Sequence, residues 1–364
     1  MIGAASDLLP WIRLTRSGAS ARRLNLLLAE FGTPAAILGA TATELARRGR
    51  FPVAAAERLL AAALADCTAD LDRLAALDIR LVLRGGPEYP PLLEQIYDPP
   101  PVLYVRGEPL PIDRPAVAVV GTRRASTYGR DVAERFAREL AEAGVVVVSG
   151  MARGIDAAAH RGALAAEGTT LAVLGNGVDV IYPADHRDLA ARIVRHGALL
   201  SEFPLATPPD AYNFPRRNRI ISGIAHGVLI VEAGARSGAL LTADCAVEQN
   251  RDVFAIPGNI THPGSAGPHE LIKQGARLVD RAEEILVEIA GVRPHAAAAP
   301  PPPPPPLEPS EQQVLALLES EPKPLDDLVL ESGLAPAELN GVLLMLEVKG
   351  IVRRHPGNAF ARAR

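Results

Sequence analysis

The chain has 364 residues, of which 48% are hydrophobic and 22% are charged, and its formal net charge is −4. This length and composition are typical of a folded protein of two or three domains, and the net charge excludes a protein that is basic over its whole surface. No apolar run approaches the roughly 20 residues of a membrane span, and the first residues lack a secretory signal pattern, so we expect a cytoplasmic protein without a membrane partner.

Residues 1–66 are predicted to form a small helical module of the SAM-like type. Leucines recur at three-to-four spacing, as at Leu24 and Leu27, and Gly32 and Pro52 mark breaks between short helices. A helical module of this size serves packing, partner docking or contact with the DNA backbone. The residues leave these alternatives open.

Residues 67–290 are predicted to form a doubly wound, mainly parallel α/β sheet of the extended Rossmann-like type. Short runs that are apolar on both faces alternate with helical patterns, which indicates helices on both sides of a parallel sheet. The predicted strands are 80–83, 102–105, 116–120, 145–148, 170–174, 198–201, 228–231, 253–256 and 277–279. Ligand sites in such sheets lie beyond the carboxyl ends of the strands, which is where Gly121, Gly150 and Gly175 fall.

Residues 291–309 are a predicted linker, because a run of alanines and prolines favours an extended polyproline helix and cannot build a core. Residues 310–364 then show three helical patterns and two short strands, which is typical of a winged-helix-like domain. This segment has six Lys or Arg against eight Asp or Glu. We therefore favour an accessory or protein-binding role for it, with duplex contact through Arg353 and Arg354 as the alternative.

The stretch from Phe214 to Ser222 concentrates positive charge, with three arginines and one asparagine in four consecutive positions. Arginine presents a fixed fork of donors to phosphate oxygens, so the stretch predicts a phosphate-binding site. On a helical wheel Arg216 and Arg219 share a face, whereas Arg217 lies over the apolar stripe. Phe214 is interpreted either as a core residue or as a stacking platform for a base.

Two loops of the predicted sheet are candidates for the same site. Gly121, Thr122 and Arg123 follow one strand, and their backbone N–H groups are suited to surround a phosphate, although a tight structural turn is the alternative. Arg153 stands between two glycines at the end of the next strand, which exposes its side chain. Both loops lie at the edge where parallel strands end.

Metal and cofactor chemistry finds no support in the sequence. The dinucleotide fingerprint and the P-loop motif are both missing, and no histidine pair has metal-ligand spacing. The two cysteines, Cys67 and Cys245, are far apart, which argues against a disulfide framework or a thiolate zinc site. We therefore expect neither a cofactor nor a metal.

The order of these motifs resembles the DNA-processing protein A family, also called DprA or Smf. The resemblance covers roughly residues 117–280 and is carried by Val117–Arg123, Ser149–Asp156 with His160, Gly175–Asp179 with Tyr182-Pro183, Ser201-Glu202, Phe214–Arg219, Glu232-Ala233 with Ser237-Gly238, and Pro257–Asn259. It implies a cytosolic homodimer that binds single-stranded DNA in the extended sheet domain, and we expect a binding protein rather than an enzyme. It also implies protection of incoming strands and help in loading the RecA recombinase during natural transformation.

The family pattern maps onto Arg123, Arg153, Arg217, Asn218 and Arg219, and it leaves position 216 free. It thus disagrees with the helical wheel, and we expect Arg217 to belong to the site as a first-turn side chain that points past the start of its helix. The predicted DNA-binding residues are Gly121, Thr122, Arg123, Arg153, Phe214, Arg216, Arg217, Asn218, Arg219, Ser237, Gly238 and Lys273. No catalytic residue is expected.

An enzyme that acts on a nucleotide is the alternative function. In that case the sheet resembles the lysine-decarboxylase-like phosphoribohydrolases, and Glu232 is the candidate general base or nucleophile. The doubled glycine of that family's Pro-Gly-Gly-x-Gly-Thr turn is missing after Glu232. We therefore expect Glu232 to bond backbone amides of a neighbouring loop.

Overall fold

The computed structural model of the protein describes residues 5–64, 66–289, 307–319, 322–355 and 358–362. The chain divides into two compact units, Met1–His295 and Ala296–Arg364. Most of the predicted linker, residues 291–306, lies outside the described residues.

The first unit begins with five helices. They are α1 (Ala5–Arg16), α2 (Ala21–Phe31), α3 (Pro34–Gly39), α4 (Ala42–Gly49) and α5 (Val53–Ala63). Side-chain oxygens of Ser20, Thr33 and Thr41 accept backbone N–H bonds at the starts of α2, α3 and α4, which fixes where these helices begin. The helices share a core that includes Leu27 and Leu45, so the predicted helical start of the chain is confirmed.

A nine-stranded sheet forms the centre of this unit, in the order β1-β2-β6-β5-β4-β3-β7-β8-β9. The strands are β1 (Ile79–Leu83), β2 (Val102–Gly107), β3 (Ala116–Val120), β4 (Val146–Ser149), β5 (Thr170–Val173), β6 (Ala198–Ser201), β7 (Gly227–Ile230), β8 (Asp252–Ala255) and β9 (Arg277–Leu278). Strands β3 to β9 pair in parallel, whereas β2 pairs antiparallel with β1 and β6. The predicted mainly parallel sheet is confirmed.

Helices cover both faces of the sheet. They are α6 (Thr68–Ala76), α7 (Pro91–Glu94), α8 (Thr127–Glu142), α9 (Ile155–Ala165), α10 (Arg187–His196), α11 (Asn213–Ile224), α12 (Leu240–Glu248), α13 (Ala266–Lys273) and α14 (Ala282–Glu288). Phe136 of α8 packs in the core on one face, and Ile221 of α11 packs on the other. The chain winds outward in both directions from β3, so the loops after β3, β4 and β7 surround the switch point where ligands bind in such folds.

The second unit is a winged helix, as predicted. It contains α15 (Pro309–Leu317), α16 (Leu325–Ser332), α17 (Pro336–Val348) and the strands β10 (Lys323–Pro324), β11 (Val352–His355) and β12 (Ala359–Arg362). The strands form an antiparallel sheet in the order β10-β12-β11, and the short β10 was not predicted. Val314, Leu343 and Phe360 belong to its core.

Within the described ranges, no single helix is both long and apolar enough to cross a membrane. In the same ranges, α16 and α17 reach that length and composition when taken together, and they are bent by 110° at the break between them.

Candidate nucleic-acid interface

Two loops that carry predicted site residues lie against each other at the carboxyl edge of the sheet. The backbone N–H of Thr122 donates to the Glu232 carbonyl oxygen at 2.7 Å, and the N–H of Ile155 donates to the Thr122 carbonyl oxygen at 3.3 Å. Gly154 has a φ of +80°, and a Cβ built there would lie 2.3 Å from the Thr122 carbonyl oxygen. Glycine at position 154 therefore allows the loops after β3 and β4 to approach each other.

Glu232 holds the first of these loops from inside the protein. Its buried carboxylate accepts a bond from the Ser126 N–H at 2.9 Å and a second bond from the Ser126 hydroxyl. The same hydroxyl oxygen accepts the Gly129 N–H at 2.9 Å and so caps α8. The expectation that Glu232 bonds a backbone amide of a neighbouring loop is confirmed.

Arg217 is buried beneath the second loop, with a relative exposure of 4%. Its Nη1 donates to the carbonyl oxygen of Gly150 at 2.8 Å and to that of Val173. Because α11 begins at Asn213, Arg217 lies in the second turn rather than the first. The expectation that its side chain points past the helix start is therefore wrong.

The charge of Arg217 is partly balanced inside the protein. Burial lowers the pKa of Arg217 to about 10, and the nearby Asp156 carboxylate opposes that shift. Burial raises the pKa of the Asp156 carboxyl group, and the positive charge of Arg217 acts in the opposite direction. Arg217 thus remains a cation at neutral pH, enclosed beneath the loop.

Asn218 and Arg219 also bind other parts of the protein. Asn218 Nδ2 donates to the Gly238 carbonyl oxygen at 3.2 Å, which ties α11 to the turn after β7. Arg219 donates from Nε to Asp98 at 2.9 Å and from Nη2 to Glu202 at 2.7 Å, and its side chain is only 12% exposed. The structure therefore places both residues as connections between α11 and neighbouring loops.

Arg123 and Phe214 face outward at the same edge. The guanidinium carbon of Arg123 lies 4.9 Å from the centroid of the Phe214 ring, and the Tyr182 ring lies 6.0 Å from it. Phe214 also covers Gly175, since a Cβ there would lie 2.8 Å from the Phe214 ring. In the described part of the chain no carboxylate lies within ion-pairing distance of Arg123, so its charge is open to an anion.

Arg153 is exposed, as predicted from the flanking glycines, but it is not free. It donates from Nε and Nη2 to the Asp185 carboxylate at 3.2 and 3.0 Å. The two side chains are 63% and 57% exposed, so the pair lies in water, where an exposed ion pair contributes little. A phosphate that binds Arg153 has to compete with Asp185.

The remaining predicted residues lie in two places. Arg216 lies beside the loop after β6, with its guanidinium carbon 5.2 Å from the centroid of the Phe203 ring, and Ser237 and Gly238 form the turn before α12. Lys273 is the last residue of α13, whose start is bonded to Ala233 at the carboxyl edge. Lys273 lies about 10 Å along this helix from that bond, and within the described ranges no hydrogen bond or ion pair joins it to the other predicted residues.

Sequence reasoning missed three exposed residues at this edge. Arg124 and Arg236 have no carboxylate within ion-pairing distance in the described ranges, and Tyr182 contacts Phe214. Arg124 directly follows Arg123, and Arg236 stands inside the turn that was already singled out, so both had a signal in the sequence. Asp185 had none, because it lies 32 positions from Arg153.

Comparisons with known proteins agree with this architecture. Residues 80–290 match the family model described as DNA recombination-mediator protein A, and residues 298–358 match the DprA winged helix domain. Protein Smf from Escherichia coli (strain K12) is 47% identical over 280 residues, which cover 74% of this chain and 74% of the relative. DNA processing protein DprA from Bacillus subtilis (strain 168) is 42% identical over 203 residues, which cover 56% of this chain and 68% of the relative.

Two solved structures have the same fold. The X-ray structure of DprA from Streptococcus pneumoniae superposes with a TM-score of 0.68 at 36% identity, over 76% of this chain and 96% of that chain. DNA processing protein A from Helicobacter pylori, whose structure was described for its single-stranded DNA binding mode, superposes with a TM-score of 0.53. It is 29% identical, over 57% of this chain and 94% of that chain.

Proposed function

The chain belongs to the DNA recombination-mediator protein A family, known as DprA or Smf, and from this premise we propose that it binds single-stranded DNA across the carboxyl edge of its sheet. The main support is the pair of Arg123 and Phe214, an exposed cation without an acidic partner that lies on an aromatic ring. Proteins that bind single strands combine cationic contacts to the backbone with base stacking on aromatic rings. The Helicobacter pylori relative, described for its single-stranded DNA binding mode, also supports this proposal.

We assign two roles to the predicted residues. Those that contact the strand are Arg123, Arg153, Phe214 and Arg216, with backbone groups of Gly121, Thr122, Ser237 and Gly238 nearby. Those that hold the loops in place are Arg217, Asn218 and Arg219, because their polar groups are already bonded within the protein. Lys273, the last residue of α13, is assigned to a separate phosphate contact.

The proposed activity is binding without turnover. The Glu232 carboxylate, which the enzyme alternative requires, is buried and bonded to Ser126, and this favours the binding function. If the protein released free base from a nucleoside monophosphate and Glu232→Gln abolished the release, the enzyme alternative would replace our proposal.

The cellular role that we propose follows the family. The protein acts in the cytoplasm as a homodimer, protects incoming single strands and helps to load the RecA recombinase on them during natural transformation. Family membership supports this role. The test is the rate of RecA filament formation on single strands that are covered by a single-strand-binding protein. We expect this protein to accelerate filament formation, and we expect the Arg123→Ala variant to accelerate it less.

Binding itself is tested by fluorescence anisotropy with labelled single-stranded and duplex oligonucleotides of equal length. We expect tighter binding of the single strand, and Arg123→Ala should weaken it alike for different sequences, because phosphate contacts do not read bases. Arg195→Ala is the matched control, since this exposed arginine precedes β6 at the opposite edge of the sheet. Equal affinities of the parent and Arg123→Ala would contradict the assignment of the site.

A further inference from the structure

A cleft of about 70 Å³ lies beside α11, where the helical module meets the sheet. Its walls come from the turn between α1 and α2, the loop before β2 and the loop after β6, with Gly18, Ala21, Pro100, Phe203 and Arg216 among the lining residues. Of the residues that line the cleft, the proposed strand site at Arg123 and Phe214 includes only Arg216. The chemistry of the cleft therefore has to be explained separately.

Arg216 forms one side of the cleft. Its guanidinium carbon lies 5.2 Å from the centroid of Phe203, which is itself only 6% exposed and so acts as a fixed base for the arginine. No carboxylate within the described ranges is close enough to pair with Arg216. Glu202 also lines the cleft, but its carboxylate is bonded to Arg219 at 2.7 Å, so the positioned charge of Arg216 is open to a phosphate.

Arg22 and Tyr97, called the rim from here on, do not line the cleft but contact each other close to it. The guanidinium carbon of Arg22 lies 5.3 Å from the centroid of the Tyr97 ring, and this ring is 80% exposed. The loop that carries Tyr97 is held against α2, because Asn25 Nδ2 donates to the Pro99 carbonyl oxygen at 2.8 Å. Each of the two residues neighbours the cleft in sequence, Arg22 next to Ala21 and Tyr97 shortly before Pro100.

The cleft is continuous with the proposed strand site through the first turn of α11. Phe214 and Arg216 both belong to that turn, one beside Arg123 and the other at the cleft. A strand that leaves Phe214 across this turn arrives at Arg216.

One carboxylate near this path is that of Asp210, which accepts the Tyr212 N–H at 2.8 Å at the start of α11. Two further ones belong to Asp98 and Glu202, the latter a lining residue of the cleft. Both are bonded to Arg219, at 2.9 and 2.7 Å, so an arginine already partly neutralises them. With Arg22 and Arg216 included, three arginines stand beside these three carboxylates. Within the described ranges no carboxylate is close enough to pair with Arg22 or Arg216, so the charges of these two arginines are open to phosphate groups.

We propose that the cleft and its Arg22–Tyr97 rim are a second subsite for the same single-stranded DNA. Arg216 and Arg22 contact successive parts of the phosphate backbone, and the Tyr97 ring stacks on a base beyond the cleft. This inference rests on the proposed binding of single strands at Arg123 and Phe214. It assigns a DNA-binding role to the helical module.

The test is the dependence of affinity on strand length, measured by anisotropy with labelled oligothymidylates of about 5 to about 25 nucleotides, a range that spans the site sizes of single-strand binding folds. The affinity of the parent should rise with length until both subsites are covered. Tyr97→Ala and Arg22→Ala should leave the shortest strands unaffected and weaken the longest by about tenfold, as loss of one stacked base does.

Two matched controls separate the subsite from general effects. Arg23→Ala removes the same charge from the next position of α2, where the guanidinium carbon lies 4.8 Å from the Phe51 ring, and it should bind long strands like the parent. Tyr97→Phe keeps the ring and should retain at least half of the parent affinity. Loss of affinity in Arg23→Ala equal to that in Arg22→Ala would overturn the inference.

The outcomes distinguish this inference from the proposed function. If Arg123→Ala weakens binding at every length while Arg22→Ala and Tyr97→Ala match the parent, the second subsite is refuted and the first stands. The rim would then be assigned to a protein partner. If Arg123→Ala also matches the parent at every length, both the inference and the assignment of the first site fail.

Discussion

Arg217 donates from Nη1 to the carbonyl oxygen of Gly150 at 2.8 Å, so a buried side chain of α11 supports the loop that carries the exposed Arg153. A Cβ at position 150 would lie 2.5 Å from that nitrogen, and the contact therefore requires glycine. The position of the exposed Arg153 at the carboxyl edge therefore depends on the buried Arg217 beneath its loop.

Replacing Arg217 by alanine should destabilise the protein. The change leaves the Asp156 carboxyl group buried without its cation and the carbonyl oxygens of Gly150 and Val173 without their donor. Losing one partner of a buried charged network costs about 3 kcal/mol, so the free energy of unfolding in urea should fall by that amount. Arg216→Ala, at the neighbouring position, should change it by less than about 0.5 kcal/mol, and equal losses in both variants would contradict the supporting role.

Removing the acidic partner of Arg153 should strengthen DNA binding. Asp185 holds the Arg153 guanidinium at 3.0 Å and competes with phosphate for it. We expect Asp185→Asn to raise the affinity for single strands by about twofold to fivefold, in keeping with the small energy of an exposed ion pair. Arg153→Ala should lower it. DNA titrations of both variants and the parent at one fixed salt concentration measure these affinities. If Asp185→Asn bound single strands more weakly than the parent, a role for Arg153 in the site would be excluded.

His160 should make stability depend on pH. Thr170 Oγ1 donates its proton to the Val147 carbonyl oxygen, so the 2.7 Å contact of His160 Nδ1 with that hydroxyl requires a proton on Nδ1. Burial, helped by the charges of His186 and Arg217, lowers the pKa of His160 from 6.5 to about 3. Between these values only the unfolded chain takes up the proton, so stability is lost as pH falls below 6.5.

Protonation of His160 in the unfolded chain should lower the free energy of unfolding by about 2 kcal/mol between pH 7.5 and pH 5. The measurement is urea unfolding at the two pH values for the parent and for His160→Gln, which cannot gain the charge. The parent should lose about 2 kcal/mol more than the variant over this interval. Equal losses would show that His160 does not remain neutral in the folded protein.

Much of the fold could be predicted from the sequence because parallel strands buried on both faces leave a strong signal. The runs at 116–120 and 228–231 are apolar throughout, and the structure has β3 and β7 at those places, with a shift of one residue at the second. The antiparallel pairing of β2 with β1 and β6 could not be inferred, since an apolar run carries no information about the direction of its neighbour. The two-residue β10 is too short to show a period.

The candidate site was predicted as a set of loops, but the roles of its arginines were not. Four polar residues in succession on a helix must face different directions, and which of them meets a carbonyl or a carboxylate depends on loops far away in sequence. Arg217 meets Gly150 and Arg219 meets Asp98, at separations of 67 and 121 positions. The helical wheel had placed Arg217 over the apolar stripe, and its burial agrees with the wheel.

The central claim is that a single strand lies over Phe214 at the carboxyl edge, and photo-crosslinking tests it most directly. A labelled oligothymidylate would be bound to the full chain and irradiated with ultraviolet light. The crosslinked complex would then be digested, and the adducts would be located by mass spectrometry. Because stacked rings crosslink efficiently, we predict adducts on Phe214 or on Tyr182, whose ring lies 6.0 Å from it, and their loss in Phe214→Leu. Adducts confined to residues 307–362, with none at this edge, would contradict the claim.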